Sequence, residues 1–446
     1  MSGDQVKKIG LFGASAIVAG NMMGSGIALL PSNLASTGSI SIFAWLIAGA
    51  GALALALVYA RLGTENPQAG GPVAYAGEVS PILGYQTGIL YFHANWIGNL
   101  AIALTGVAYL SVFFPALTHP VAGALATIAV IWLFTGLNLL GANWIGRLVT
   151  IGVILLLIPV VLTGTYGWLF FESSQFSANW IVGSSSSSQA VMAAVLLCIW
   201  SFIGVESSSV SSGVVKNPRK NVPRSTIIGA SVAALVYILS CSAISGMFPA
   251  SQLAASGAPF SLAAGHMFGS WAPGIVSGIV AFACLCSLGS WMMLVSQAGA
   301  RASKDGTLPG IFGKLNRKGI PAACLVLSSL FMTVLMITLL AVTKGENTQA
   351  LFGDIADIAV LLTLPAYLYS SLDLIRLHGF RDRRALIPLT ASILACAFCF
   401  VALAGATRVY LTVAIVVMLG VFIFYAGKDR SAYRKRIMDK RYTRDQ

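Results

Sequence analysis

Twelve apolar runs, each long enough to cross a bilayer as a helix, follow one another along this chain. They fall at 11–34, 40–61, 83–113, 122–141, 147–171, 190–213, 226–248, 272–300, 321–343, 350–375, 385–405 and 408–427. A spanning helix needs roughly 20 mostly apolar residues. In hydrocarbon, every backbone N–H and C=O must be bonded within the protein, which leaves the helix as the form open to such runs. The sequence therefore predicts an all-α polytopic membrane protein with 12 transmembrane helices. Charge content agrees: Asp, Glu, Lys and Arg make up 9% of the residues, against about 25% in a soluble domain. Lys7 and Lys8 precede a first run too long for a signal-peptide core, so that run is expected to stay as the first span.

Loop charge tests the count. With the N-terminus in the cytoplasm, 25 of the 27 lysines and arginines fall on cytoplasmic loops and tails, leaving Lys344 and Arg408 outside. The positive-inside rule then predicts both termini cytoplasmic. The net charge of +13 is a property of that face, where anionic membrane lipid is the expected contact. No aromatic-interleaved basic patch or DNA-binding motif accompanies it, so no nucleic acid is expected. The seven cysteines lie in apolar stretches and are odd in number, which gives no disulfide framework. Cys396-x-x-Cys399 has no histidine nearby and reads as packing. No nucleotide-binding, metalloprotease or nucleophile-elbow motif is present, so the chain does not read as an enzyme, and no cofactor or metal is expected.

Two of the runs contain residues that do not suit a membrane helix. Gly20, Gly24, Ser25 and Gly26 interrupt the first. Such a stretch reads either as a small-residue packing face or as an unwound segment whose bare backbone lines a binding site. In the sixth run, Trp200-Ser201-Phe202-Ile203-Gly204-Val205-Glu206-Ser207-Ser208-Ser209 sets a glycine, serines and a carboxylate into a span. Spans one and six are five apart, so they cross the membrane in opposite directions. Paired interruptions of this kind point to an inverted-repeat transporter with its site at the breaks.

Several side chains stand out near these breaks. Glu206 is the glutamate placed well inside a span, and an intramembrane carboxylate is a functional hypothesis by default. It is a candidate for coupling cation binding to a gate or a proton; the alternative is a structural hydrogen bond to a neighbouring helix. Trp200 and Trp291 each adjoin small residues, and tryptophan faces attract ammonium groups. Asn95 and Asn99 lie one turn apart on the third span, where amides need a helix or a ligand as partner. His93 reads as interfacial or packed. Asp354, Asp357 and Asp373 read as solvated helix ends, and Asp305 as a salt-bridge member beside Arg301 and Lys304.

At these residues the chain resembles the amino acid–polyamine–organocation transporters, and within them the basic amino acid/polyamine antiporter group. Gly24-Ser25-Gly26 and Trp200 to Ser207 match that group's two broken-helix motifs. Gly213-Val214-Val215-Lys216-Asn217-Pro218, with Asn221-Val222-Pro223, matches its loop after span six. Gly20 to Pro31, Tyr91 to Asn99, Ala255 to Phe260 and Leu288 to Val295 look most like the members that exchange lysine for cadaverine. The arginine/agmatine and ornithine/putrescine exchangers are less similar.

The resemblance implies a single transporter domain with a 5+5 inverted repeat. Helices 1–5 (11–171) and 6–10 (190–375) would form the repeats, followed by helices 11–12 (385–427) and a basic cytoplasmic tail (428–446). It also implies a homodimer in a bacterial inner membrane. Carried over by residue, the substrate would meet open backbone at Ser25, Gly26 and Ile203 with its α-carboxylate and α-amine, with Met22 a further contact. It would stack on Trp200, lie under Trp291, and direct its far amine to Ala94, Asn95 and Asn99. Tyr75, Tyr91, Glu206 and Tyr367 match gating or proton-coupling positions. Asn95, where the arginine exchanger has a cysteine, and Phe92, where closer members have a second tyrosine, depart from the pattern, as does the spacing of Pro365-Ala366-Tyr367. The implied activity is external lysine for internal cadaverine in acid resistance, alongside a cytoplasmic lysine decarboxylase, with proton-coupled cadaverine uptake as a second mode. The alternatives are another basic pair or, in a different class, a non-transporting amine sensor.

Overall fold

The computed structural model describes residues 10–23, 26–65, 71–140, 145–183, 186–206, 215–343, 348–378 and 386–427. Among these the fold is all-α, with no strand. The helices are α1 (Leu11–Met23), α2 (Leu30–Ala35), α3 (Ser41–Glu65), α4 (Pro72–Val79), α5 (Pro81–Leu110), α6 (Pro120–Leu140), α7 (Ile145–Thr165), α8 (Ser173–Ala178) and α9 (Ser187–Trp200). They continue with α10 (Pro218–Met247), α11 (Ala250–Ala254), α12 (Pro259–Phe268), α13 (Ala272–Lys304), α14 (Ala322–Val342), α15 (Thr348–His378), α16 (Leu386–Gly405) and α17 (Arg408–Gly427). Prolines open α4, α5 and α10, where a missing N–H costs nothing and the fixed φ suits a helix start.

Nine helices among the described residues are long and apolar enough to cross a membrane: α3, α6, α7, α10 and α13 to α17. The other three expected spans are the two interrupted ones and α5, a 30-residue helix whose apolar run is diluted by Gln86, His93, Asn95 and Asn99. α15 is central, with 72% of its apolar window buried, and packs on α5, α16 and α4. α17 is peripheral, with 11% buried. It turns Val409, Val416, Ile423 and Phe424 outward, as a helix facing lipid tails would.

Both expected interruptions are present. The first span stops at Met23 and resumes at Leu30. The sixth stops at Trp200 and passes into tight turns, in which Phe202 N–H reaches Ile199 O at 2.9 Å and Val205 N–H reaches Phe202 O at 3.2 Å. Gly24, Ser25 and residues 207–214 lie outside the described residues, as does the tail 428–446.

Away from the breaks, Asn179 ties one end of the bundle together. Its Nδ2 donates to Ser245 O and Phe248 O, both at 2.8 Å, and its Oδ1 accepts from Ala250 N–H at 2.9 Å. Its backbone carbonyl accepts from Ser39 N–H at 2.8 Å, just ahead of α3. Through its side chain and its backbone carbonyl, Asn179 thus joins the starts of α3 and α11 to the end of α10. Replacing Asn179 with Leu strands two carbonyls and an N–H. At 1–3 kcal/mol for a buried group left unmade, partly relieved by water, a loss of about 2–4 kcal/mol is expected, read as a lowered melting temperature in detergent.

Candidate substrate site

Unwinding a helix in hydrocarbon frees backbone groups that have no water to bond. Here the two breaks serve each other. Ser201 Oγ donates to Gly26 O at 3.0 Å, and Tyr237 from α10 donates to Ser201 O at 3.2 Å. Tyr109 from α5 donates to Ala28 O at 2.7 Å. The approach is close: a Cβ added to Gly26 would lie 2.9 Å from Met22 O and 3.0 Å from Ser201 Cα. Gly26 is therefore the residue that lets the first break sit on the second.

A cavity opens between the breaks and α5. Met22, Gly26, Trp200 and Ile203 contribute from the broken spans; Ala94, Asn95 and Asn99 come from α5, and Trp291 from α13. These are the eight expected contact residues that lie among the described ones; Ser25, the ninth, lies outside them. Three lining residues were not anticipated. Gly98 and Ile102 continue the face of Asn95 and Asn99 at helical spacing, a signal the sequence held. Thr363 lies on α15, one turn before Tyr367; only the packing of α15 brings it there.

The cavity wall offers polar groups that no described protein atom uses. Both amide atoms of Asn99 and the indole Nε1 of Trp200 are buried without a hydrogen-bond partner among the described residues. Buried groups in that state cost free energy unless something else satisfies them. Asn95 differs: its Nδ2 donates to Tyr91 O at 2.6 Å along its own helix. The Trp200 ring meets Phe352 edge to face, with ring centroids 6.1 Å apart. Gly98 leaves room for the indole, since a Cβ there would lie 3.1 Å from it. An apolar and aromatic wall with one unpaired amide suits an alkyl chain ending in an ammonium group.

Glu206 does not line the cavity. It lies about a turn beyond Ile203 and is 2% exposed. Tyr91 from α5 donates to Oε1 at 2.5 Å, while Tyr367 from α15 and the Gly204 N–H donate to Oε2 at 3.1 and 3.2 Å. Gly204 has φ +105°, a conformation open to glycine, and this turns its N–H onto the carboxyl two residues on. One carboxyl thus gathers the second break, α5 and α15. Tyr75, on α4, is fully buried but touches a different ring: it packs against Tyr59, centroids 6.3 Å apart, and Tyr59 packs against Tyr367 at 6.0 Å. Tyr59 was not anticipated; a lone tyrosine in an apolar span carries no signal.

Asp357, read with Asp354 as a solvated helix end, instead has its Oδ1 buried without a hydrogen-bond partner among the described residues. His93 is packed, with Nδ1 2.9 Å from Ile89 O and its ring between Phe92 and Trp96. Asp305 pairs with Arg301 at 3.0 Å, as its neighbours suggested. Asp373, expected at a solvated helix end, is instead fully buried and held by Arg376 at 2.8 Å, because α4 covers that end of α15.

Comparison with known proteins agrees with this architecture. The family model described as amino acid permease matches residues 9–427. The cadaverine/lysine antiporter of Escherichia coli K12 is 52% identical over 95% of both chains. The putrescine transporter PotE of Haemophilus influenzae is 33% identical over 81% of this chain and 83% of its own, and its Escherichia coli K12 counterpart 31% over 83% and 84%. These relatives are transporters and not enzymes. With its family match over nearly the whole length and its long apolar helices, the chain belongs to the amino acid permease family, as a multi-pass membrane protein.

Proposed function

We propose that this protein exchanges external lysine for internal cadaverine across a bacterial inner membrane, with both termini cytoplasmic and the repeats of spans 1–5 and 6–10 inverted about the cavity. The observation that carries this reading is the cavity between the two helix breaks, lined by Trp200, Asn95 and Asn99, in a chain 52% identical to a cadaverine/lysine antiporter. The substrate's α-carboxylate and α-amine meet bare backbone at Ser25, Gly26 and Ile203. Its alkyl chain runs beside Met22 and Trp291, and its distal ammonium lies over the Trp200 face near Ala94, Asn95 and Asn99. The working unit is a homodimer, paired with a cytoplasmic lysine decarboxylase that consumes a proton in each acid-resistance cycle. Proton-coupled cadaverine uptake is its second mode.

Lysine carries one positive charge near neutral pH and cadaverine two, so each exchange exports one net charge. An inside-negative potential opposes this at about 2.3 kcal/mol per 100 mV. Opposed lysine and cadaverine gradients, each worth ~1.4 kcal/mol per tenfold ratio, supply the driving force. The direct test is exchange in proteoliposomes loaded with cadaverine, with lysine, arginine, ornithine and a neutral amino acid compared outside. Lysine is expected to drive the fastest release. Faster release by arginine or ornithine would assign a different pair, and binding without flux would make the protein a sensor.

Three substitutions test the assigned roles. Trp200→Leu removes the cation face and is expected to weaken both substrates by roughly 0.5–2 kcal/mol, about 2- to 30-fold in Kd, at unchanged melting temperature. Gly26→Val drives a branched side chain into Met22 O and the Ser201 backbone. Transport should be lost, and lysine should no longer raise the melting temperature of whatever folds. Glu206→Gln keeps the shape, fixes the neutral state and turns one carboxyl oxygen into a donor facing donors. Cadaverine flux is expected to fall more than lysine flux, because the divalent substrate depends more on a counter-charge, and the remaining flux should lose much of its pH dependence. Equal losses with parallel pH curves would leave Glu206 a structural hydrogen bond.

A further inference from the structure

Beyond the Glu206 layer, α15 carries a second and chemically different closure. From Thr363 at the cavity the helix passes Tyr367 at Glu206, then Ser370, whose Oγ accepts from Tyr59 at 3.2 Å. At Arg376, about 20 Å along the axis from Thr363 at 1.5 Å per residue, the contacts become ionic. The guanidinium holds Asp373 Oδ1 through Nη2 at 2.8 Å and Nε at 3.0 Å, and its Nη2 lies 3.5 Å from Glu78 Oε2 on α4. Asp373 is fully buried while Arg376 keeps 40% of its side chain exposed. Two residues on, His378 Nε2 lies 2.7 Å from Glu65 Oε2 at the end of α3, and Arg61 lies 3.8 Å from the same carboxyl group. The end of α15 is thus tied by charge to α4, with His378 lying against Glu65 of α3. α4 covers this end of the bundle, placing Tyr75 against Tyr59.

We propose that Arg376 is the pin of an ionic latch that keeps the cytoplasmic end of the substrate path shut, in series with the Glu206–tyrosine layer, by holding α4 through Glu78 while anchored on Asp373. It rests on the transport reading only in calling that path a release route. Opening towards the cytoplasm requires α4 to part from α15, which separates Arg376 from Glu78. Asp373 keeps its partner on its own helix, so no bare charge is left buried in the open state and the latch can close again. Removing a partner from such a pair shifts the equilibrium between closed and open forms by the interaction lost.

The test is the rate at which a membrane-impermeant maleimide, applied from the cytoplasmic side of inside-out vesicles, labels Ser370→Cys. Ser370 is fully buried between the two closures; the native cysteines supply a background measured in protein that keeps Ser370. Adding Arg376→Gln is expected to raise labelling about tenfold, the effect of ~1.4 kcal/mol on the equilibrium. Arg376→Lys, which keeps a point charge but not the guanidinium fork, is expected to stay within about threefold of the parent. Glu78→Gln breaks the tie to α4 and leaves Asp373 paired, so it is expected to raise labelling even if Arg376→Gln fails to fold. Unchanged labelling in Glu78→Gln at an unaltered melting temperature overturns the latch. So does a rise as large in Arg376→Lys as in Arg376→Gln, since shape and not charge would then be the cause. Labelling does not depend on which solute is carried, so failure of lysine/cadaverine exchange in the unmodified protein would overturn the proposed function and leave the latch standing.

Discussion

The structure depends on how the freed backbone of two broken helices is satisfied where there is no water. Ser201 bonds to Gly26, Tyr237 to Ser201 and Tyr109 to Ala28, so the breaks are held by one another and by α5 and α10. Without these bonds each break would leave polar groups stranded in an apolar core, and a continuous helix would be favoured. With them, Ile203 and Gly26 can present backbone to a cavity. The same constraint explains why the cavity sits where it does: irregular backbone is tolerated at depth where it is buried in protein or lines a space.

From that centre α15 carries a succession of chemistries. Thr363 reaches the cavity, Tyr367 the buried carboxyl, Ser370 the hydroxyl of Tyr59, and Asp373 with Arg376 the ionic contact to α4. α5 is arranged the opposite way: Asn99 and Asn95 at the cavity, Tyr91 at Glu206, and α4 just before its first turn. Two antiparallel helices therefore run from the cavity to one end of the bundle, and the groups joining them to their neighbours change from hydrogen-bonded hydroxyls to charges along the way. Charge is affordable at that end because Arg376 keeps contact with water, whereas Glu206, at 2% exposure, relies on three donors from the protein.

Much of this was legible in the residues. Gly24 to Gly26 and Ser201 to Glu206 marked the interruptions, because they pair in two spans five apart; Gly20, counted with the first, is helical and packs on Val153, where a Cβ would lie 2.8 Å from that side chain. Asn95 and Asn99, one turn apart, gave the polar face of α5, and helical periodicity extends that face to Gly98 and Ile102. Trp200 and Trp291, each beside small residues with a face for an ammonium group, were read from the sequence and given their substrate contacts by the resemblance; both line one cavity. Thr363 and Tyr59 could not be found this way. Each is an isolated polar group in an apolar helix, with no neighbour in sequence to set it apart.

Sequence alone determined that the chain is a bundle of membrane helices and where two of them must fail, because hydropathy and helix propensity are local properties read residue by residue. It also placed a carboxyl inside a span. Tertiary structure decided what that carboxyl meets, since Tyr91 and Tyr367 lie 115 and 161 residues from Glu206 and come to it only through packing. It likewise turned Asp373 from a residue of an expected solvated helix end into a buried anchor, because the covering helix α4 lies nearly three hundred residues earlier in the chain. Pairings of that separation are set by how helix faces fit against one another, and no local pattern records them.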